Sequence, residues 1–200
     1  THHFEFHWSS SRRPFRMRTS LDELRAQITT GKINDNELQV FSASAEMLLI
    51  VMHHGGKEQY AFLKQVSDIA HLLEKEDEID WPWLIEKLKK YHLETVFYIG
   101  VRQANMLTGI TIPEIIRKAC MSTSITRLAR RRIRMTAYPP TKRQSLGYIT
   151  REWLFHIRSR DGFGLKMHLA WYTLRKVLLP AIVPKRLHYL FYDRKIRKGS

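Results

Sequence analysis

The sequence predicts an α+β protein, a few N-terminal strands followed by a mainly α-helical bundle. Period-two alternation is confined to the first 42 residues, where Phe4-Glu5-Phe6-His7-Trp8 is its clearest case. From residue 43 onward apolar residues recur at helical spacing, and glycines and prolines break that pattern into separate helices. The chain divides accordingly into residues 1–42, 43–122 and 123–200.

Each element has a local reason. In Phe4–Trp8 the side chains of His3, Glu5 and His7 share one face, and Phe4, Phe6 and Trp8 share the other. Ser9–Pro14 breaks that strand. Leu21–Gln27 reads as a short helix with Thr19 or Ser20 as N-cap. G-K-I-N-D-N-E-L-Q-V-F, residues 31–41, reads as two strands joined by a turn at Asn34-Asp35-Asn36. Ser44 is placed to cap a helix from Ala45 to about His54, which Gly55-Gly56 would stop. A second helix spans about Gln59–Glu76, with Phe62, Leu63, Val66, Ile69, Ala70 and Leu73 on one stripe. Asp80 caps a third helix, whose first turn tolerates Pro82. A fourth runs from about Leu93 to Leu107 and ends at Gly109, and Pro113 starts a fifth. Past Ser124 the pattern stays helical but basic, with breaks at Pro139-Pro140, Gly162, Gly164, Pro180 and Pro184.

Composition narrows the function classes. An apolar content of 44% is that of a folded chain, and the longest apolar run, Met47–Met52, is far too short to cross a bilayer. A single cysteine, Cys120, excludes an internal disulfide and a cysteine-based zinc site, and it fits a reducing compartment. The expected location is cytoplasmic, or peripheral to the membrane. The net charge of +15 is unevenly spread. Residues 1–120 hold 15 Lys and Arg against 16 Asp and Glu, whereas residues 121–200 hold 19 against 3. That asymmetry points to an anionic partner for the C-terminal region, such as nucleotide, nucleic acid or the lipid headgroups of a membrane surface.

Three places could carry chemistry. Glu5 stands on a strand face between two histidines, where it is a solvated surface acid, a neighbour of a site, or part of an H-x-E-x-H metal set. His53-His54-Gly55-Gly56-Lys57 is followed by Lys64, Asp68 and His71, spaced so that the last three form one helical stripe. That stripe is either a solvated face with a Lys64–Asp68 pair, or the flank of a lysine-bearing turn that meets a phosphate. In R-L-A-R-R-R-I-R-M, residues 127–135, Arg127, Arg130, Arg131 and Arg134 cover one helical face. This suits a nucleic-acid footprint, a peripheral membrane face or a merely solvated side. Phosphate-binding glycine loops, zinc-protease helices and serine nucleophile elbows are missing from the sequence.

The motifs occur in a telling order: F-E-F-H-W at Phe4–Trp8, S-A-E-M-L-L at Ser44–Leu49, H-G-G-K at His54–Lys57, and L-K-Q-V-S-D-I-A-H-L-L at Leu63–Leu73. Asp80-Trp81 and L-T-G-I-T-I-P at Leu107–Pro113 follow. This series resembles the bacterial nucleotidyltransferases of the polymerase-β superfold, in the group usually labelled nucleotidyltransferase family protein. The resemblance implies transfer of a nucleotidyl group from an NTP to an acceptor, with Mg²⁺ (or Mn²⁺) held by three carboxylates. It makes Glu5 the third of those carboxylates, both catalytic and metal-binding. It makes Lys57 a triphosphate contact with His54 beside it, and gives Asp68, with Lys64, the holding of the helix at that edge. Residues 1–42 would then be the last strands of the catalytic core, and 43–122 a helical nucleotide-pocket subdomain. Gln65, Ala45 and Glu58 depart from the family pattern, which has tryptophan, proline and often histidine there. The D-x-D pair that should supply the other two carboxylates does not occur in the 200 residues. The expectation is therefore a C-terminal fragment, inactive alone. The alternative is a non-enzymatic basic module acting through residues 127–198.

Overall fold

The computed structural model describes residues 21–33, 36–137 and 146–175. The expected strand at Phe4–Trp8, Glu5 with it, and the basic segment after residue 175 lie outside the described residues. A short helix, α1 (Leu21–Arg25), leads into an antiparallel hairpin of β1 (Ile28–Ile33) and β2 (Asn36–Phe41), in which Ile28 faces Phe41 and Ile33 faces Asn36. Helices follow: α2 (Ala43–Ile50), α3 (Leu63–Leu73), α4 (Trp81–Lys90), α5 (Glu94–Thr108), α6 (Glu114–Cys120), α7 (Thr123–Ala137), α8 (Leu146–Ser159) and α9 (Phe163–Thr173). The fold is thus α+β, a two-stranded sheet near the N-terminus and then a helical bundle. Among the described residues no helix is long and apolar enough to cross a membrane.

The centre of the bundle is α5. Its residues Val96, Phe97, Val101 and Ala104 are buried against Met47, Leu48 and Met52 from the α2 side, Ile69 and Leu73 from α3, and Leu84 and Leu88 from α4. On another side Ile99 packs with Ile125 and Ala129 of α7 and Phe155 of α8. α5 ends where the sequence says it should, at Gly109 with φ of +79°, a left-handed conformation that glycine adopts without a Cβ penalty. Asp80 caps α4 as expected, its carboxylate accepting from the Trp83 amide at 3.0 Å. α1 is tied to α4 through Glu23, which accepts from the Tyr91 hydroxyl at 2.6 Å and pairs with Lys87 and Lys90.

Several expectations need correction. Ser42, not Ser44, caps α2, its hydroxyl accepting from the Ala45 amide. Ser44 is buried and serves another helix, accepting at 2.7 Å from the amide of Asp80. Gly55-Gly56 do not stop a helix. α2 gives way at Val51 to a wider π-helical turn, Val51–Lys57, which runs through both glycines. The next helix begins at Leu63 rather than Gln59, because Gln59 and Tyr60 take left-handed conformations with φ of 59° and 54°. Phe62 and Leu63 consequently lie before or at the start of α3 and are exposed, 57% and 63%, rather than on its apolar stripe.

What holds this irregular stretch is Tyr60. Its side chain is buried between two backbone surfaces that lack a Cβ. A Cβ on Gly55 would stand 2.5 Å from the Tyr60 hydroxyl, and one on Gly100 would stand 2.5 Å from its Cζ. Glycine at these two positions is therefore a close-approach requirement. Gly100→Ala gains about 1 kcal/mol of helix propensity, yet overpacking against a ring that cannot retreat costs about 1–3 kcal/mol. The net expectation is a lower urea midpoint. Tyr60→Phe should behave oppositely. The Tyr60 hydroxyl is buried with no hydrogen-bond partner, so its removal should leave the midpoint unchanged or raise it.

Candidate functional site

The π-helical turn and the first two turns of α3 bring five polar side chains together. The Lys57 ammonium lies 3.2 Å from Nε2 of His53, and Nδ1 of His53 lies 3.3 Å from Nδ1 of His54. Nε2 of His54 lies 3.3 Å from the Asp68 carboxylate. Glu58 completes the group, 3.5 Å from His54 Nδ1 and 4.0 Å from Lys57. Its carboxylate accepts from the Gln65 side-chain amide, and Gln65 Oε1 in turn accepts from the Phe62 amide at 3.2 Å. All five side chains are partly buried.

One set of neutral tautomers satisfies these contacts. Lys57 can only donate, so Nε2 of His53 accepts and the proton of the neutral ring sits on Nδ1. That Nδ1–H donates to Nδ1 of His54, whose own proton is then on Nε2 and donates to Asp68. Lys57, His53, His54 and Asp68 thus form a continuous chain with all the hydrogen bonds running one way.

This places three of the expected site residues, His54, Lys57 and Asp68, in one cluster. Lys64 does not join it. Lys64 is exposed on α3, and Asp68 takes His54 as its partner instead of the expected Lys64. Glu5 lies outside the described residues. Two contributors were visible in the sequence only as departures from a pattern, Glu58 and Gln65, and the structure makes them partners of each other.

His53, His54 and Glu58 could hold a metal ion by spacing, with ligand atoms 3.3, 3.5 and 3.9 Å apart. Two imidazoles and one carboxylate do not fit Mg²⁺, which takes oxygen ligands, and suit Zn²⁺ or a similar metal better.

Asp68 borders a cleft of about 680 Å³, lined also by Ser67 and His71 of α3, by Glu74 just past it and by the segment Thr108–Thr111. Behind the cluster the turn is held by two buried arginines. Arg132 of α7 donates to the Glu152 carboxylate at 2.7 Å, to Gln59 Oε1 at 3.5 Å and to the Glu58 carbonyl at 3.5 Å. Arg160, just past α8, donates to the Gly56 carbonyl. Burial pushes the Arg160 guanidinium down to about 10, while Asp161 and Tyr60 act the other way. The signal for Arg132 was present in the sequence. It falls in phase with buried Ile125 and Ala129 of the same helix, off the face of its four arginine neighbours.

The family model described as uncharacterised nucleotidyltransferase matches residues 1–109. The chain belongs to that family, and the matched part contains the whole His53–Asp68 cluster. No curated protein and no solved structure matches it.

His156 of α8 supplies a pH test of the support behind the cluster. Burial first, then the neighbouring Arg160 and Arg132, holds its imidazole down at about 3. It is neutral in the fold but takes a proton in the unfolded chain near 6.5, so the unfolded state binds more protons between those values. Stability should fall as pH is lowered from about 6.5 toward 3, by on the order of 2 kcal/mol at pH 5 from this residue alone. Urea midpoints at pH 7.5 and pH 5 should therefore differ less in His156→Gln than in the parent chain.

Proposed function

We propose that this chain forms the lysine-bearing edge of the nucleotide site of a metal-dependent nucleotidyltransferase. The observation that supports this most is Lys57. It stands at the end of the H-G-G-K turn inside the family match, half-buried, with its ammonium fixed by His53 at 3.2 Å. A fixed lysine meets a phosphate as a positioned point charge. His54 is oriented by Asp68 and lies between His53 and Glu58, so the turn is preorganised before a ligand arrives. The cleft beside Asp68 offers space next to this edge.

In this reading Glu5 is the third metal carboxylate, and the D-x-D pair is supplied from outside these 200 residues. Mg²⁺ or Mn²⁺ would neutralise the triphosphate and assist in-line attack by the acceptor. Lys57 would hold the phosphates, and Asp68, through His54, would keep the turn in register. Lys64, exposed and one turn away, would make a lesser contribution.

Calorimetric titration with each of the four ribonucleoside triphosphates in Mg²⁺ tests this. At least one should bind, about tenfold or more weaker to Lys57→Ala, with Lys57→Arg recovering most of the loss. Equal binding by the parent and Lys57→Ala would remove Lys57 from the site. The 200 residues alone should show no nucleotidyl transfer, because one carboxylate cannot hold two Mg²⁺ ions. Turnover would sink the assignment of the other two carboxylates to a separate segment.

A second reading, a basic module binding nucleic acid or an anionic membrane through residues 127–198, is favoured by one observation. Arg127, Arg130, Arg131 and Arg134 of α7 have no carboxylate partner among the described residues. Binding of that kind should weaken steeply with salt and survive Lys57→Ala.

A further inference from the structure

α7 shows two faces. Arg132 turns inward to Glu152 and the Glu58 carbonyl, while its neighbours turn outward into a cavity of about 830 Å³. Six arginines from three helices line that cavity: Arg127, Arg130, Arg131 and Arg134 of α7, Arg102 of α5 and Arg151 of α8. None of its lining residues is acidic. Like charges gathered in one concavity repel one another, so such an arrangement calls for a counter-charge.

Among the described residues, Arg127, Arg130, Arg131 and Arg134 have no carboxylate partner that supplies it. Past residue 120 the described acids are Glu152 and Asp161, and both are engaged elsewhere. Glu152 is taken by Arg132, and Asp161 accepts from the Thr95 amide at 2.9 Å and from the Thr95 hydroxyl. Arg102 donates to Asn105 through one nitrogen, yet its Nε is buried without a hydrogen-bond partner. A buried donor in that condition is costly until something accepts from it.

We propose that this cavity is a binding site for a compact cluster of phosphate groups, of the polyphosphate or phosphomonoester class. The inference gives the basic-module reading a defined site and rests on the same arginines. Guanidinium forks match phosphate oxygens in pairs, which explains arginine rather than lysine at all six positions. The lining also lacks aromatic side chains, so the site offers phosphate contacts and no platform on which a base could stack. The cavity volume is that of a small-ligand pocket rather than of a flat footprint.

The test uses the 200-residue chain and inorganic tripolyphosphate, titrated by calorimetry at low salt without divalent metal. Binding should weaken about tenfold or more in Arg130→Gln/Arg134→Gln, and measurably in Arg127→Gln alone. These side chains are exposed or nearly so, and circular dichroism should show unchanged unfolding midpoints. Lys57→Ala should keep the arginine-dependent component of tripolyphosphate binding, whatever it loses at the lysine turn. No binding, or binding lost in Lys57→Ala and kept in the arginine variants, would overturn the proposal. Two further arms use a 20-nucleotide RNA and vesicles containing phosphatidylserine. If either binds through the same arginines and tripolyphosphate displaces it, the phosphate cluster is its point of attachment. If either binds and tripolyphosphate neither binds nor competes, the cavity site is wrong while the basic-module reading stands. If tripolyphosphate binds through the arginines and neither polymer nor vesicle does, the cavity site stands without that reading.

Discussion

One ring holds the irregular part of this structure in place. Tyr60 enters the bundle in a left-handed backbone conformation, lies against the bare backbone of Gly55 and Gly100, and is almost fully buried. The two successive left-handed residues before α3 cost roughly 1–2 kcal/mol each, which burial of an aromatic ring of this size can offset. Because the ring is seated, the π-helical turn cannot relax into an ordinary α-helical continuation of α2. His53, His54, Lys57 and Glu58 all hang from that turn. Its geometry, rather than any long element, puts Lys57 next to His53 and His54 next to Asp68.

A widened turn leaves carbonyl groups that regular helix hydrogen bonding does not serve. The His53 and His54 carbonyls accept from the amides of Glu58 and Tyr60, at 3.2 and 2.7 Å. The carbonyls of Gly56 and Glu58 are met instead by buried arginines. Buried guanidinium groups are expensive unless their donors are used, and here the turn takes a terminal nitrogen of each. The same exchange satisfies Gln59, buried beside the turn, which donates to the Glu152 carbonyl at 3.1 Å and accepts from Arg132. The polar cluster at the surface and the polar pins beneath it are two sides of one ten-residue stretch.

Much of the layout could be read from the sequence because it follows periodicity and end signals. The hairpin, the cap at Asp80, the stop at Gly109 and the separate face of the α7 arginines all obey local rules. The 51–60 stretch could not be read that way. Gly-Gly usually marks a helix end, and its different use here depends on Tyr60 and Gly100, forty residues apart. The same distance effect hid the role of Ser44, whose partner is Asp80. Asp68 was legible as a polar position on α3, but its partner was not, because Lys64 was the nearer choice along the helix and His54 the nearer in space. Local signals specify elements, whereas the site depends on contacts between them.

The family match ends at residue 109, where α5 ends, yet the turn at its heart is fastened by Arg132 and Arg160. Homology and folding therefore draw different borders on this chain. The smallest piece able to keep the turn as described must extend through Arg160, well past the end of the family match. The later helices are thus a required brace for the matched part, and any shortening or swapping of them acts on the lysine turn from behind.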